Sequence, residues 1–473
     1  MNVLFVSNEV VPFAKVGGLA DVAGTLPSAL REQGIDARVA MPLHRSCLKY
    51  GPFETVATGV PAVLGAETLE FDLVQGALSD RKTPVYFIRY DPLFDRPEIY
   101  GEGGTDYPDA AERYAFFSSA ALQIPRAVGF RADLVHANDW MAGLLPLFAA
   151  RVDPAPPTLY TIHNLAYQGE YPEGKAGPIG CLWDPESRHR GAVNFMATGI
   201  RRATIVSTVS SRYAEEIQTP EFGCGLEGVL AERAADLYGV VNGIDYDLWN
   251  PATDPHIAAH FTPSDLRGKA ACKAALQKDM GLDVKPDVPL VGCVTRLASQ
   301  KGLDVLAEVI PHAVELPMQF VILGTGQPDL EARYTALAAE HPGSVAVTIA
   351  FSDPLARRVY AGSDLFAMPS RYEPCGLGQM IAMAYGAVPI VNYTGGLADT
   401  VSETGDPPTG FVHHAVTVDE VLATVRRAAA VYAKPDRWAA LVAGCFAQDF
   451  SWADSARRYQ ELYAKALAKH PSR

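Results

Sequence analysis

Short runs of β-branched and apolar residues alternate along the chain with stretches whose apolar positions recur at helical spacing. In the first half the runs fall at residues 3–6, 38–40, 85–88, 134–136, 158–162 and 205–209, with amphipathic stretches at 19–32 and 111–128. The second half repeats the scheme, with strands at 290–294, 320–323, 345–349, 365–368 and 388–391 and helices at 303–315, 330–340, 376–385 and 418–432. Continuous apolar strands joined by crossover helices predict parallel sheets covered on both faces. Two such series in tandem predict an α/β chain of two Rossmann-like domains.

The stretch 242–254 carries Asn242-Gly243, Asn250-Pro251 and several Asp residues, which is turn and loop chemistry. It divides the chain into a first domain, 1–241, and a second, 242–451, with another connector at 283–289. Residues 452–473 follow the second series, and 452–469 read as one helix. Ala456, Tyr459, Leu462, Tyr463, Ala466 and Leu467 share one face of it and predict a helix that crosses back onto the first domain.

Composition narrows the function. The chain has 473 residues, two or three domains' worth at roughly 150 residues each. Lys plus Arg number 40 and Asp plus Glu 54, a net charge of −14. That balance disfavours nucleic acid and membrane surfaces as partners, while a local cationic site can still hold a small anion. The seven cysteines are scattered, with no CxxC pair, and an odd number cannot pair fully. Reduced thiols in a cytoplasmic protein are the simplest reading. The opening MNVLFVSNEV reads as a first strand rather than a signal peptide, and no run of 18 apolar residues is present.

One short segment occurs twice. Gly17-Gly18-Leu19-Ala20-Asp21-Val22 returns as Gly395-Gly396-Leu397-Ala398-Asp399-Thr400-Val401, each copy after a strand and opening a helix. Paired glycines let a ligand approach the backbone, and first-turn N–H groups attract an anion. A tight strand–helix turn without a ligand is the plainer alternative. Lys15 stands before the first copy, where its ammonium could reach the same anion; taken alone it is an ordinary loop lysine. Arg296 and Lys301 flank the turn between the strand 290–294 and the next helix, and two cations there suit a diphosphate, or else a surface ion pair. His136, Asp139 and Trp140 follow one strand and His163-Asn164 the next. Glu373 sits near a strand end, where it can accept hydrogen bonds from a hydroxylated ligand. Cys375, with no base beside it in sequence, reads as a packing or contact residue before a nucleophile. No HExxH and no paired Cys/His set is present, so a metal site is not expected.

These residues carry a resemblance. Lys15-Val16-Gly17-Gly18-Leu19-Ala20-Asp21, His136-Ala137-Asn138-Asp139-Trp140 and Thr161-Ile162-His163-Asn164 resemble segments of the bacterial glycogen synthase and plant starch synthase family of retaining glycosyltransferases. So do Asn242-Gly243-Ile244-Asp245, Thr295-Arg296-Leu297 through Gln300-Lys301-Gly302-Leu303, the segment 370–377 and the segment 394–401, in family order. The resemblance implies the GT-B fold, two facing Rossmann-like domains with a deep interdomain cleft. It implies transfer of glucose from ADP-glucose to the non-reducing end of an α-1,4-glucan such as glycogen, without a cofactor or divalent metal. By that analogy Lys15, Arg296 and Lys301 meet the donor diphosphate, and Asp139, His163 and Glu373 surround the glucosyl unit. Gly17, Gly18, Cys375, Gly376, Leu377, Thr394, Gly395 and Gly396 line the donor, and Phe351 lies where an aromatic ring meets adenine. Asn242 and Trp140 fall on the acceptor side.

Val16 replaces the Thr of many bacterial members, as it often does in starch synthases, and Asn392 stands where Arg is usual. Ile381 occupies the place of the second Glu in the related E-x7-E pattern, an absence usual for glycogen synthases that separates them from many other GT-B enzymes. The competing readings are a GT-B transferase using UDP-glucose, and a glucan-binding protein without activity. An NAD-dependent oxidoreductase fits less well, because Val6-Ser7-Asn8 lacks the GxGxxG that should follow a first dinucleotide-binding strand.

Overall fold

The computed structural model describes residues 1–470 except 104, 177, 178 and 180–183, so Cys181 lies outside the described residues. The chain forms two compact units, Met1–Gly243 with Trp452–Arg473, and Ile244–Ser451.

The first unit is built on β1 (Asn2–Val6), β2 (Asp36–Pro42), β3 (Glu54–Leu64), β4 (Glu67–Ala77), β5 (Pro84–Arg89), β6 (Leu134–Asn138), β7 (Thr158–Ile162), β8 (Ile205–Thr208) and β9 (Leu237–Gly239). They form one sheet in the order β9-β8-β7-β6-β1-β2-β5-β4-β3. After Asn2 the central strand β1 is apolar because its side chains enter two cores. Leu4 and Val6 belong to one, and Val3 and Phe5 to the other. The helix α1 (Gly18–Glu32) supplies Val22, Ala23, Leu26 and Leu30 to the second core.

Two expectations need correction. The sheet is not wholly parallel: β3 and β4 form an antiparallel hairpin, and β4 also pairs antiparallel with β5. The pattern hid this hairpin because register shifts near Ala57 break the two-residue alternation and Pro61 interrupts β3. The proline is tolerated because β3 is the edge strand. The helix expected over 111–128 is also two helices, Ala110–Ala121 and Ile124–Ala127, with Pro125 opening the second.

The second unit contains β10 (Leu290–Val294), β11 (Gln319–Gly324), β12 (Val345–Ile349), β13 (Leu365–Met368), β14 (Val388–Asn392) and β15 (Phe411–His413), in the order β12-β11-β10-β13-β14-β15. Every pairing is parallel. Numbered within the unit this is 3-2-1-4-5-6, the doubly wound order. The helix α2 (Leu303–Ala313) follows β10 and buries Leu303, Leu306, Val309 and Ile310. The segment after Gly243 is fastened inside this unit. Arg357 donates to the Leu248 carbonyl at 2.6 Å, and Tyr385 donates to Asp254 at 2.5 Å.

The last helix, α3 (Trp452–Lys469), lies in the second core of the first unit through Trp452, Ala456, Tyr459, Leu462, Tyr463 and Ala466. A polar thread fixes it there. The Tyr463 hydroxyl meets His136 Nδ1 at 2.9 Å, and His136 Nε2 meets Thr161 Oγ1 at 2.7 Å. His136 is fully buried and lies within β6, so it is a structural link between β6, β7 and α3. Tyr463→Phe leaves that nitrogen without its partner and should cost about 1–3 kcal/mol of stability. Urea unfolding should show a lower midpoint with an unchanged slope; an unaltered midpoint would show that His136 does not need the hydroxyl.

Candidate active site

In each sheet the strand order reverses beside the unit's first strand, between β1 and β6 in the first unit and between β10 and β13 in the second. Ligands of open α/β sheets bind at the carboxyl ends of strands at such points. Lys15, Gly17 and Gly18 follow β1, Asp139 and Trp140 follow β6, Arg296 and Lys301 follow β10, and Glu373 to Leu377 follow β13, and these loops are held by buried carboxylates.

In the first unit Glu9 follows β1 and is 3% exposed. Its Oε2 accepts the N–H groups of Val16 at 2.5 Å and Gly17 at 2.8 Å, and its Oε1 accepts the Tyr100 hydroxyl. The N–H groups of Val16 and Gly17 are therefore already occupied. Gly17 and Gly18 are exposed, and a Cβ built on either would meet nothing within 4 Å, so the space beside them is clear. Lys15 is half-exposed and donates to Asp21 at 2.7 Å.

Asp139 leaves β6 with φ +56° and ψ 179°, a conformation costly for any residue but glycine. That geometry puts Oδ1 against the next loop, where it accepts the His163 N–H at 2.8 Å and, at 3.4 Å, that of Asn164. Burial pushes the Asp139 carboxyl up to about 7, against the pull of those two N–H groups and with a smaller push from the charge of Glu9. Burial lowers the His163 imidazole to about 3, so the ring is neutral. Asn138 donates its amide to the carbonyl of Val6 at 3.1 Å, which turns its Oδ1 toward His163 Nε2 at 2.9 Å. Nε2 therefore carries the proton and Nδ1 holds the free lone pair.

The structure places the two acceptor-side residues differently. Trp140 packs edge-on against Tyr114 at 4.7 Å and closes over Gly169, a wall position. Asn242 is buried, and its Oδ1 has no hydrogen-bond partner among the described residues.

In the second unit Lys301 Nζ lies 2.6 Å from Glu373 Oε2, with the two side chains 16% and 8% exposed. Ser370 donates to the same oxygen at 2.9 Å. Lys301 is thus a half-buried ion-pair partner. Arg296 is exposed and makes one long contact, 3.4 Å to Gln300. The second Gly-Gly differs from the first. Gly396 donates its N–H to the carbonyls of Glu373 at 3.0 Å and Pro374 at 3.2 Å. A Cβ on Gly395 or Gly396 would collide with the carbonyl of Glu373 or Cys375. The two copies therefore differ in packing: these glycines and Thr394 open a helix of only six residues, Gly395–Thr400, set against the Glu373 loop.

That loop has two further supports that the sequence reading missed. Gln379, fully buried, donates to the carbonyls of Cys375 at 3.1 Å and Gly376 at 2.9 Å. Asn392 donates to the Ser370 carbonyl at 2.9 Å. Asn392 is buried and acts as a loop anchor. Leu377 caps the helix Gly378–Ala384. Phe351 stands apart after β12 and is 91% exposed. Among the described residues no group of three or more His, Cys, Asp or Glu side chains is placed to hold a metal ion.

Known proteins resemble the chain over nearly its whole length. The family model for the starch synthase catalytic domain matches residues 2–232, and that for glycosyl transferases group 1 matches 288–430. A glycogen synthase of Syntrophotalea carbinolica is 46% identical, over 99% of this chain and 100% of its own. Another, from Anaeromyxobacter dehalogenans, is 44% identical over 98% and 99%. The chain belongs to the glycogen synthase and starch synthase family. The catalytic domain of starch synthase IV from Arabidopsis thaliana, solved bound to ADP and acarbose, superposes with a TM-score of 0.88 at 33% identity, covering 98% of this chain and 99% of that one. A sucrose-phosphate synthase from Thermosynechococcus elongatus, 18% identical with a TM-score of 0.63, shares the fold over 99% of both chains. The fold is GT-B, and the protein is a glycosyltransferase. Among the described residues no helix is long and apolar enough to cross a membrane.

The site residues missed by sequence reasoning are Glu9, Asn138, Ser370 and Gln379. Glu9 left a signal, an acidic residue between a first strand and a Gly-Gly turn; Asn138 meets Val6 and His163 far along the chain, whereas Ser370 and Gln379 bond residues three or four positions away in the Glu373 loop.

The Asp139 shift makes a testable sign. Its folded value of about 7 lies above the ordinary 3.8, so its contribution to stability is complete below pH 3.8 and is lost as pH rises through 7. Asp139→Asn keeps an acceptor for His163 and has no charge to bury. The variant should unfold at a higher temperature than the parent at pH 8, with the advantage vanishing toward pH 4, while turnover falls. Equal unfolding temperatures at pH 8 would show that the carboxylate is not buried uncompensated.

Proposed function

We propose that the protein transfers glucose from ADP-glucose to the non-reducing end of an α-1,4-glucan such as glycogen, with retention at the anomeric carbon, in the cytoplasm. The observation that carries the reading is the Lys301–Glu373 pair beside exposed Arg296 at the β10/β13 reversal. It sets two cations and a carboxylate where a sugar bonded to a diphosphate needs both.

The leaving group is a diphosphate, so the barrier falls when its growing charge meets fixed cations. Arg296 offers a planar fork to phosphate oxygens, and Lys301 a point charge already aimed by Glu373. That role needs no divalent metal. Glu373, the neutral His163 with its free Nδ1, and Asp139 are acceptors suited to sugar hydroxyls. In the first unit the Lys15–Gly18 turn offers an ammonium and clear backbone to an anion. Attack by a glucan hydroxyl on the leaving-group face gives retention without an enzyme-bound intermediate: the hydroxyl oxygen bonds to the anomeric carbon as the bond to the diphosphate oxygen breaks, and the hydroxyl proton passes to that oxygen. Asn242, whose buried Oδ1 has no partner among the described residues, is assigned to the glucan side.

Phe351 supports the choice of nucleotide. An almost fully exposed ring gains by covering itself with a base, and a purine covers more of it than uracil; aromatic pairing adds about 0.5–1.5 kcal/mol beyond burial. With glycogen as acceptor, kcat/KM for ADP-glucose should exceed that for UDP-glucose; parity or reversal would refute the donor assignment. Arg296→Ala should lower kcat by about 10²–10³-fold while leaving the fold intact, since the residue is exposed. Steady-state kinetics would expose an error here as unchanged turnover, or as an effect confined to KM.

A further inference from the structure

None of the steps above uses Glu9, yet its carboxylate is the most elaborately answered polar group at the end of β1. Besides the bonds to Val16, Gly17 and Tyr100, its backbone carbonyl accepts the Ser7 hydroxyl at 2.7 Å. Burial beside Glu9 pushes the Tyr100 phenol far up, so it remains the donor in that bond. The consequence for the turn is directional. The N–H groups of Val16 and Gly17 are drawn inward onto the carboxylate. Gly17, the residue before α1, has no side-chain cap, and the exposed Gly17–Gly18 backbone borders clear space. Lys15 is held on the outer side by Asp21.

We propose that Glu9 is a positioning residue whose buried carboxylate, steered by Tyr100, holds the Lys15–Gly18 turn in the shape that receives the donor diphosphate before the donor arrives. The proposal rests on the reading that this turn meets the donor anion. Glu9 itself touches no substrate. Its carboxylate acts as an internal anion around which the inward N–H groups are arranged, so that the turn needs no rearrangement when a ligand binds.

The test is a graded series in the full chain, read by calorimetric binding of ADP, UDP and adenosine. Glu9→Ala removes two charge-assisted bonds to the turn and should weaken ADP and UDP by about 10–100-fold. Glu9→Gln keeps an acceptor without the charge, and Tyr100→Phe keeps the charge without its guide; each should weaken them by a smaller factor. Adenosine, which lacks the diphosphate, should bind equally in all four proteins, whereas a general structural defect would weaken it too. The donor KM should rise more than kcat falls.

Unchanged or tighter ADP binding in a folded Glu9→Ala protein overturns the proposal; tighter binding would mean that Glu9 competes with the anion. Should Glu9→Ala not fold, unchanged ADP binding in both milder variants overturns it equally. A parent enzyme that transfers glucose from neither ADP-glucose nor UDP-glucose would refute the functional reading, while the ADP comparison would still decide the role of Glu9.

Discussion

A carboxylate taken out of water at a strand end must be answered by donors or by a cation, and the candidate site is organised by three such answers. Glu9 is met by two backbone N–H groups and a phenol, Glu373 by an ammonium and a hydroxyl, and Asp139 by two backbone N–H groups. Glu9 ties the end of β1 to the far end of its own loop, the Gly-Gly turn, while Glu373 ties β13 to the turn after β10 and Asp139 ties β6 to the loop after β7. Removing any one of them would free a loop rather than only a side chain.

Asp139 is the least compensated of the three, and it also carries the strained backbone. Strain and a raised carboxyl in one residue are the marks of a position kept for chemistry at the expense of stability. The neutral His163 beside it is fixed in one tautomer by Asn138, so the pair offers acceptors whose states are settled before a ligand binds.

The repeated Gly-Gly segment shows how the same residues serve different physical ends. At Gly17–Gly18 the glycines face clear space and a Cβ would meet nothing. At Gly395–Gly396 a Cβ would strike the backbone that carries Glu373, so glycine there permits two loops to touch. The first copy concerns what approaches the protein, and the second concerns how the protein packs upon itself.

Much of this was legible in the residue pattern. Most of the parallel strands announced themselves as apolar runs because both of their faces are buried, and the polar residues at their ends stood out for the same reason; the short edge strands β9 and β15 did not. The motif order carried the family, and the helical face of Tyr459 and Tyr463 marked α3 as a packed helix. The hairpin of β3 and β4 was not legible, since bulges and an edge proline erase the period on which such a reading depends. Nor could spacing reveal that Lys301 is committed to Glu373, that Asn392 anchors a loop, or that Glu9 occupies the N–H groups of Val16 and Gly17. Local pattern records which face of an element is buried, and that follows from neighbours a few residues apart. The partner of a buried charge is chosen by which strand ends the sheet order brings side by side, and that is decided only when the chain has folded.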